Sequence, residues 1–242
     1  MLPRLREAVA DFSLLLTKGY ANKSALKLVG DRFSLTQRQR LAVMRSSCSD
    51  QQRQSRSQRR VPIEALAGQP IAIDGYNLLI TLEAALSGGL IFRGRDGCFR
   101  DLASIHGTYR KVEETVPAVR LIGEFLTETR IAEALWLLDS PVSNSGRLKT
   151  LIGQLARENH WPWEIRLTIS PDAELSSQLT VPSSQFPANR PLTTDNRQLI
   201  AIVVSTDSII LDACKKWTNL AAEIISRRLP RTTVIDLAPS GA

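Results

Sequence analysis

At 242 residues and 43% hydrophobic content, the chain is long enough to bury one substantial core and carry a smaller appendage without disulfide staples. Its net charge of +7 is uneven: residues 1–60 hold 13 Lys and Arg against 4 Asp and Glu, and residues 61–242 hold 18 against 20, so the basic excess lies at the amino-terminal end and points to an anionic partner, nucleic acid before a membrane surface. Cys48, Cys98 and Cys214 lack the spacing of a disulfide framework or zinc site, and neither a signal-peptide pattern nor a long apolar run is present; the expectation is a cytoplasmic protein with no membrane insertion.

Leu5, Val9, Phe12 and Leu16 recur at helical spacing, and Asn22 to Val29 predicts a second helix that Gly30 terminates. Ser34 and Gln37 have the spacing of a capping box opening a third helix through Met44, with Arg38, Arg40 and Arg45 on its surface. That face reads either as a solvated surface or as a grip on a phosphate backbone. Ser46 to Arg60 is Ser, Gln and Arg with almost nothing apolar, which predicts a flexible basic linker. The domain boundary is therefore expected there: a basic helical domain with its linker over 1–60 and a second domain over 61–242. On this reading, deleting residues 1–60 weakens RNA binding but leaves the rest assembled.

Beyond the linker, apolar runs alternate with helical patterns, the signature of an α/β fold with a mostly parallel sheet. Strands are predicted near 70–74, 134–139, 163–169, 200–204 and 232–237, and helices near 77–87, 101–128, 145–159, 208–216 and 218–229. The segment from Gly88 to Asp101 carries Arg93, Arg95 and Arg100 among four glycines and reads as a mobile loop able to close over a phosphate. The segment 170–197 contains Pro171, Pro182, Pro187 and Pro191, and reads as a lid or as an unstructured insertion.

Three buried strands end on, or lead into, a carboxylate: Asp74, Asp139 and Asp207. Ligands of an open parallel sheet bind beyond the carboxyl ends of its strands, and clustered carboxylates repel one another unless a cation lies among them. Oxygen donors suit hard ions, so Mg²⁺ or Mn²⁺ and phosphodiester chemistry are the first expectation. Asn77 reads as orienting a bound water or capping a helix, and Ser205 with Thr206 as fixing Asp207 or capping the next helix. Ser145 and Arg147 follow Asp139 at a helix start that could receive a phosphate. Asp101 reads as a further acid or as a residue that opens the long helix. His106 and His160 have no partner at a diagnostic spacing.

The stretch Ile73-Asp74-Gly75-Tyr76-Asn77-Leu78-Leu79, with Leu138-Asp139 and Val204-Ser205-Thr206-Asp207, resembles the PIN/NYN-like nuclease superfamily. More narrowly, residues 83–89, 95–102 and 141–148 resemble an uncharacterised archaeal and bacterial family in which a basic helical domain precedes a PIN-like domain. The resemblance implies a three-layer α/β/α fold and Mg²⁺- or Mn²⁺-dependent hydrolysis of RNA, with Asp74, Asp139 and Asp207 as metal ligands and Asn77 and Ser205 assisting. A fourth acid is implied, matched by Asp101 or, from the long loop, by Glu174 or Asp195.

A haloacid dehalogenase-type phosphatase needs a second Asp where Tyr76 stands, and a dinucleotide-binding turn needs more glycine than Gly75 alone. The remaining alternative is a non-catalytic RNA-binding or adaptor protein on the same scaffold. Homo-oligomerisation is left open.

Overall fold

The structure, a computed structural model, describes residues 1–103, 112–177, 180–181 and 199–238. It opens with four helices, α1 (Leu2–Thr17), α2 (Asn22–Arg32), α3 (Gln37–Ser46) and α4 (Asp50–Arg59). The apolar stripe Leu5, Val9 and Phe12 of α1 is buried against Ala25 and Val29 of α2 and Ala42 and Val43 of α3. The capping box of α3 is formed by Thr36 and Gln39, not by Ser34 and Gln37. Ser34 instead takes a left-handed φ of 46° in the turn before it, a conformation incompatible with an N-cap.

The expected flexible linker is a helix. A serine cap starts α4, with Ser49 and Gln52 forming a second capping box, and Arg56 anchors it with only 1% of its side chain exposed. The Arg56 guanidinium reaches Asp96 at 2.6 Å and Asp212 at 2.7 Å, and the backbone carbonyl of Arg56 accepts from the indole N–H of Trp217 at 2.8 Å. Composition could not announce this, because the anchor is an ion-paired guanidinium whose partners lie far along the chain. Nor do the amino-terminal helices form a separate core: Phe92 and Leu237 are buried among Leu5, Val9 and Phe12.

A single 3₁₀ turn (Ile63–Leu66) leads into the α/β part. Its main elements are β1 (Pro70–Asp74), α5 (Gly75–Leu86), β2 (Ile91–Arg93), β3 (Phe99–Arg100), α6 (Thr115–Thr129), β4 (Glu133–Asp139), α7 (Ser145–Glu158) and β5 (Trp163–Thr168). There follow α8 (Pro171–Ser176), β6 (Thr180–Val181), β7 (Leu199–Ile200), β8 (Ile202–Val204), α9 (Ser208–Ala213), β9 (Trp217–Thr218), α10 (Leu220–Arg228) and β10 (Val234–Asp236). The principal sheet has the order β5-β4-β1-β8-β9 and is parallel throughout.

Strand alternation divides this sheet into two faces. Ile71, Ile73, Ala134, Trp136, Leu138, Ile202 and Val204 are buried with Leu79, Ile122, Ile152 and Ile224 of α5, α6, α7 and α10. Ala72, Leu135, Leu137 and Val203 face the other way, onto Leu175 of α8 and Ile210 and Leu211 of α9. The result is a three-layer α/β/α arrangement preceded by helices, and no helix among the described residues is long and apolar enough to cross a membrane.

Several local expectations are corrected. The strand near 232–237 exists as β10, but it pairs with β2 in a separate small sheet of order β10-β2-β3. The segment from Gly88 to Asp101 is that sheet's β2–β3 hairpin, pinned by buried Arg100, rather than a mobile flap. The helix predicted from 101 is α6 and begins at Thr115; Asp101–Ala103 has no regular structure, and His106 lies outside the described residues. The segment 170–197 opens with α8, which packs on β1, β4 and α9, while Pro182, Pro187, Pro191 and Asp195 fall outside the described residues.

Candidate active site at the carboxyl edge of the sheet

Strands β4, β1 and β8 are neighbours, so their carboxyl ends succeed one another at the usual interstrand spacing of about 4.8 Å. Asp74 lies level with Leu137, two residues before Asp139, and Ile73 lies level with Val204, three before Asp207. Alternation turns Asp74, like Ala72, and Asp139, like Leu135 and Leu137, toward the layer of α8 and α9. Those two helices bring the remaining acids: Asp207 caps α9, its Oδ1 accepting from the N–H of Ile209 at 2.8 Å, and Asp172 stands in the first turn of α8.

The four carboxylates act on one another electrostatically. Asp74 is buried, and burial above all, with help from the charges of Asp172 and Asp207, raises its carboxyl to about 7. Asp139 is raised by burial and by Asp172, and Asp172 by burial and by Asp207. Tyr76 feels the same rim: burial first and then Asp139 push its phenol up to about 12. Asp172 is thus the common neighbour, and it is the fourth acid that sequence reasoning missed. The signal was present in Ser170-Pro171-Asp172, an N-cap followed by Pro and an acid directly after a strand. Of the two acids expected from that segment, Glu174 accepts a hydrogen bond from Thr168 Oγ1 and lies 3.9 Å from Arg166, and Asp195 lies outside the described residues.

Polar side chains fix the rim. Ser205 Oγ donates to Asp74 Oδ2 at 2.8 Å and accepts from the N–H of Asp207 at 3.0 Å, so one hydroxyl ties the β1 acid to the β8 loop. Asn77 is not a cap: its Oδ1 accepts from both the N–H of Thr206 at 2.9 Å and Thr206 Oγ1 at 3.0 Å, while Asp74 itself is the N-cap of α5. Arg100 Nε donates to the carbonyl of Thr206 at 2.8 Å, and its two terminal nitrogens grip Asp96 at 2.9 and 2.7 Å. Burial would push Asp96 up, but the guanidiniums of Arg100 and Arg56 prevail and hold it well below the ordinary carboxylate range.

The remaining expected residues lie elsewhere or are already engaged. Asp101 does not join the rim acids; it accepts from Thr81 Oγ1 at 2.9 Å, the N–H of Ala103 at 2.6 Å and Arg45 at 3.3 Å. The phosphate-binding expectation is corrected for Arg100, which is internal, and for Arg45, which also donates to the carbonyl of Asp101 at 2.7 Å. It is corrected likewise for Arg40, which ties the end of α2 through Asp31 at 2.7 Å and the carbonyl of Leu35 at 3.1 Å, and for Arg95, bound to Asp50 at 2.5 Å and the carbonyl of Cys48 at 3.0 Å. Arg45 and Arg95 thus hold the amino-terminal helices to the hairpin segment, Arg40 holds α3 to α2, and Arg100 holds the hairpin to the loop after β8. Arg93 pairs with Asp236 at 3.1 Å on the far sheet. Ser145 is buried, donating to the carbonyl of Ser140 at 3.4 Å. Arg38 and Arg147 are exposed and form no ion pair among the described residues. His160 is an exposed residue at the end of α7.

As a donor set, Asp74, Asp139, Asp172 and Asp207 fit a hard divalent cation. In position they are a shared rim rather than a closed cage: among the described residues no three His, Cys, Asp or Glu side chains are arranged so as to hold a metal ion. Cys48, Cys98 and Cys214 are buried free thiols; burial pushes Cys48 up to about 11, which suits packing rather than chemistry.

Two family models match the chain: a domain of unknown function (DUF5616) over residues 63–223 and a protein of unknown function (DUF434) over residues 4–59. An uncharacterized protein of Methanocaldococcus jannaschii is 29% identical over 180 residues, covering 74% of this chain and 86% of that protein. No solved structure matches the chain.

Proposed function

We propose, for a chain that belongs to the family described as domain of unknown function (DUF5616), that it is a divalent-metal-dependent hydrolase of RNA phosphodiester bonds, acting in the cytoplasm on a PIN-like scaffold. One observation supports the reading: the carboxyl ends of four neighbouring strands each carry or lead into a carboxylate, and burial together with the charges of the others raises three of them. Repulsion of this kind is relieved by a cation among the acids.

Asp74, Asp139, Asp207 and Asp172 would hold Mg²⁺ or Mn²⁺. Such an ion, once bound, polarises a phosphoryl oxygen and lowers the pKa of a bound water. Ser205 keeps an Asp74 oxygen turned into the rim, and Asn77, through Thr206, keeps the β8 loop beside it. Asp172, the exposed member of the four, is open to exchange a proton with solvent. The three buried free thiols support a reducing compartment.

The test incubates purified protein with labelled single-stranded and structured RNA in Mn²⁺ or EDTA, alongside Asp74→Asn and Asp207→Asn. Cleavage that needs Mn²⁺ and disappears in both variants is expected. A non-catalytic RNA-binding role is favoured by the open spacing of the rim acids, and undiminished binding without cleavage by the unmodified protein would select it.

A further inference from the structure

A cleft of about 460 Å³ opens beside the acid rim, between the amino-terminal helices and the sheet edge. It shares Asn77, Thr206 and Asp207 with the rim. Its size falls within the range of ligand pockets and exceeds what a lone cation and its waters require.

The lining indicates what kind of ligand suits it. Arg45, Arg56 and Arg100 reach the cleft, but each is already paired with an internal carboxylate, so its interior offers no unspent guanidinium to a phosphate. Its walls mix apolar side chains, Phe12, Leu16, Met44, Ile80 and Ile209 among them, with a comparable polar surface. Two of these are large hydrophobic side chains left in water: Ile209, 67% exposed and two residues from Asp207, and Met44, 42% exposed. Ile209, exposed at the mouth of the acid rim, offers an apolar surface against which a flat, uncharged ring can be laid out of water.

Cationic groups stand outside the cleft. Leu16 and Asn22 of the lining stand at the end of α1 and the start of α2, where Lys18 follows α1 and Lys23 lies in the first turn of α2, both exposed and without an ion pair among the described residues. Exposed apolar side chains lining the cleft, ammonium groups where α1 gives way to α2 and an acid rim next to it match the three parts of a nucleotide chain: base, flanking phosphate and scissile phosphodiester.

We propose that this cleft is a base-binding subsite for single-stranded RNA, receiving one unstacked nucleobase between Met44 and Ile209 while Lys18 and Lys23 meet the adjoining phosphates. The proposal rests on the hydrolase reading for the identity of its ligand and extends it by naming the form of the substrate. A base inside a duplex is stacked and paired on both sides, so it does not enter. The amino-terminal helices thereby become one wall of the substrate site, and this wall discriminates by shape and stacking rather than by charge.

The experiment measures binding in EDTA, so that cleavage plays no part. The probe is a single-stranded hexaribonucleotide carrying 2-aminopurine, whose emission reports unstacking, with the same oligonucleotide in a duplex for comparison. The full-length protein is compared with a Met44→Ser/Ile209→Ser variant, whose altered positions are solvent-exposed, and with Lys18→Gln/Lys23→Gln. The single strand is expected to bind with a change in emission and more tightly than the duplex. The serine variant is expected to lose about tenfold or more in affinity together with the emission change, while the glutamine variant keeps the emission change and shows a flatter dependence on salt.

Equal affinity and emission for the serine variant and the unmodified protein would overturn the subsite, as would equal affinity for single strand and duplex. Manganese-dependent cleavage that persists alongside either result would leave the hydrolase reading intact. Conversely, tight single-strand binding that depends on Met44 and Ile209, with no cleavage under any metal, would sustain the subsite and remove the hydrolase reading.

Discussion

Replacing Asp74 by Asn should change how stability depends on pH, and the size of the change follows from the burial of the carboxyl. In the metal-free protein Asp74 titrates at about 7 instead of its ordinary 3.8, burial being the main cause. The folded state holds this proton more tightly than the unfolded chain does, so the stabilisation is fully present below pH 4 and is lost as pH rises through about 7. Between pH 5 and pH 7 the unfolded chain has already released its proton, and each pH step carries about 1.36 kcal/mol. The native protein should therefore lose roughly 2.5 kcal/mol of stability between pH 5 and pH 8 that Asp74→Asn does not lose. The neutral amide keeps an acceptor for the 2.8 Å bond from Ser205 and gives up the one that takes the N–H of Asn77, a loss that lowers stability equally at every pH and leaves the comparison of slopes intact. Urea denaturation followed by circular dichroism in EDTA, at closely spaced pH values, gives both curves. Mn²⁺ should flatten the difference by holding the ionised form. Parallel curves for the two proteins in EDTA would show that Asp74 is ionised throughout and would refute the burial argument.

Asp172→Asn removes the charge that raises both Asp74 and Asp139, so carboxyl titrations followed by NMR should show both midpoints moving down; unmoved midpoints would mean that the acids do not share a rim. Asp96→Asn leaves the buried guanidiniums of Arg56 and Arg100 short of their counter-charge and should cost about 3–5 kcal/mol in chemical denaturation; a loss below about 1 kcal/mol, the range of an exposed pair, would contradict the burial of the network. Deleting residues 1–60 uncovers Phe92 and Leu237 and removes Arg56 from Asp96 and Asp212. The remainder should aggregate on size-exclusion chromatography rather than keep an assembled site, and a monomer with cooperative unfolding would show that the shared core is dispensable.

The parallel sheet was readable because β1 and β4 are continuous apolar runs buried on both faces and the edge strand β5 alternates apolar with polar residues, and all three stand close to where the sequence pattern puts them. The acids at their ends were readable for the same reason, since a strand boundary is where a sequence turns polar. What escaped notice depends on distant partners. Helix α4 is polar by composition and is anchored by a guanidinium whose counter-charges arrive from the hairpin and α9. Arg45, Arg95 and Arg100 look from the sequence like phosphate ligands, and only the positions of Asp101, Asp50 and Asp96 show where their charge is used. Short strands such as β3 and β9, two residues each, carry too few residues for a period to register.

The first helix and the last strand meet. Arg6 Nε donates to the carbonyl of Asp236 at 3.0 Å, and Leu237 is buried with Leu5 and Val9. A ribosome therefore delivers the two halves of this contact some 230 residues apart: α2 and α3 can cover α1 early, but the part of its inner face that Leu237 closes waits for that residue. A chain halted at residue 230 should consequently show its damage in α1, as faster proteolytic trimming; an α1 as protease-resistant as in residues 1–242 would mean that β10 and Leu237 are not needed to close it.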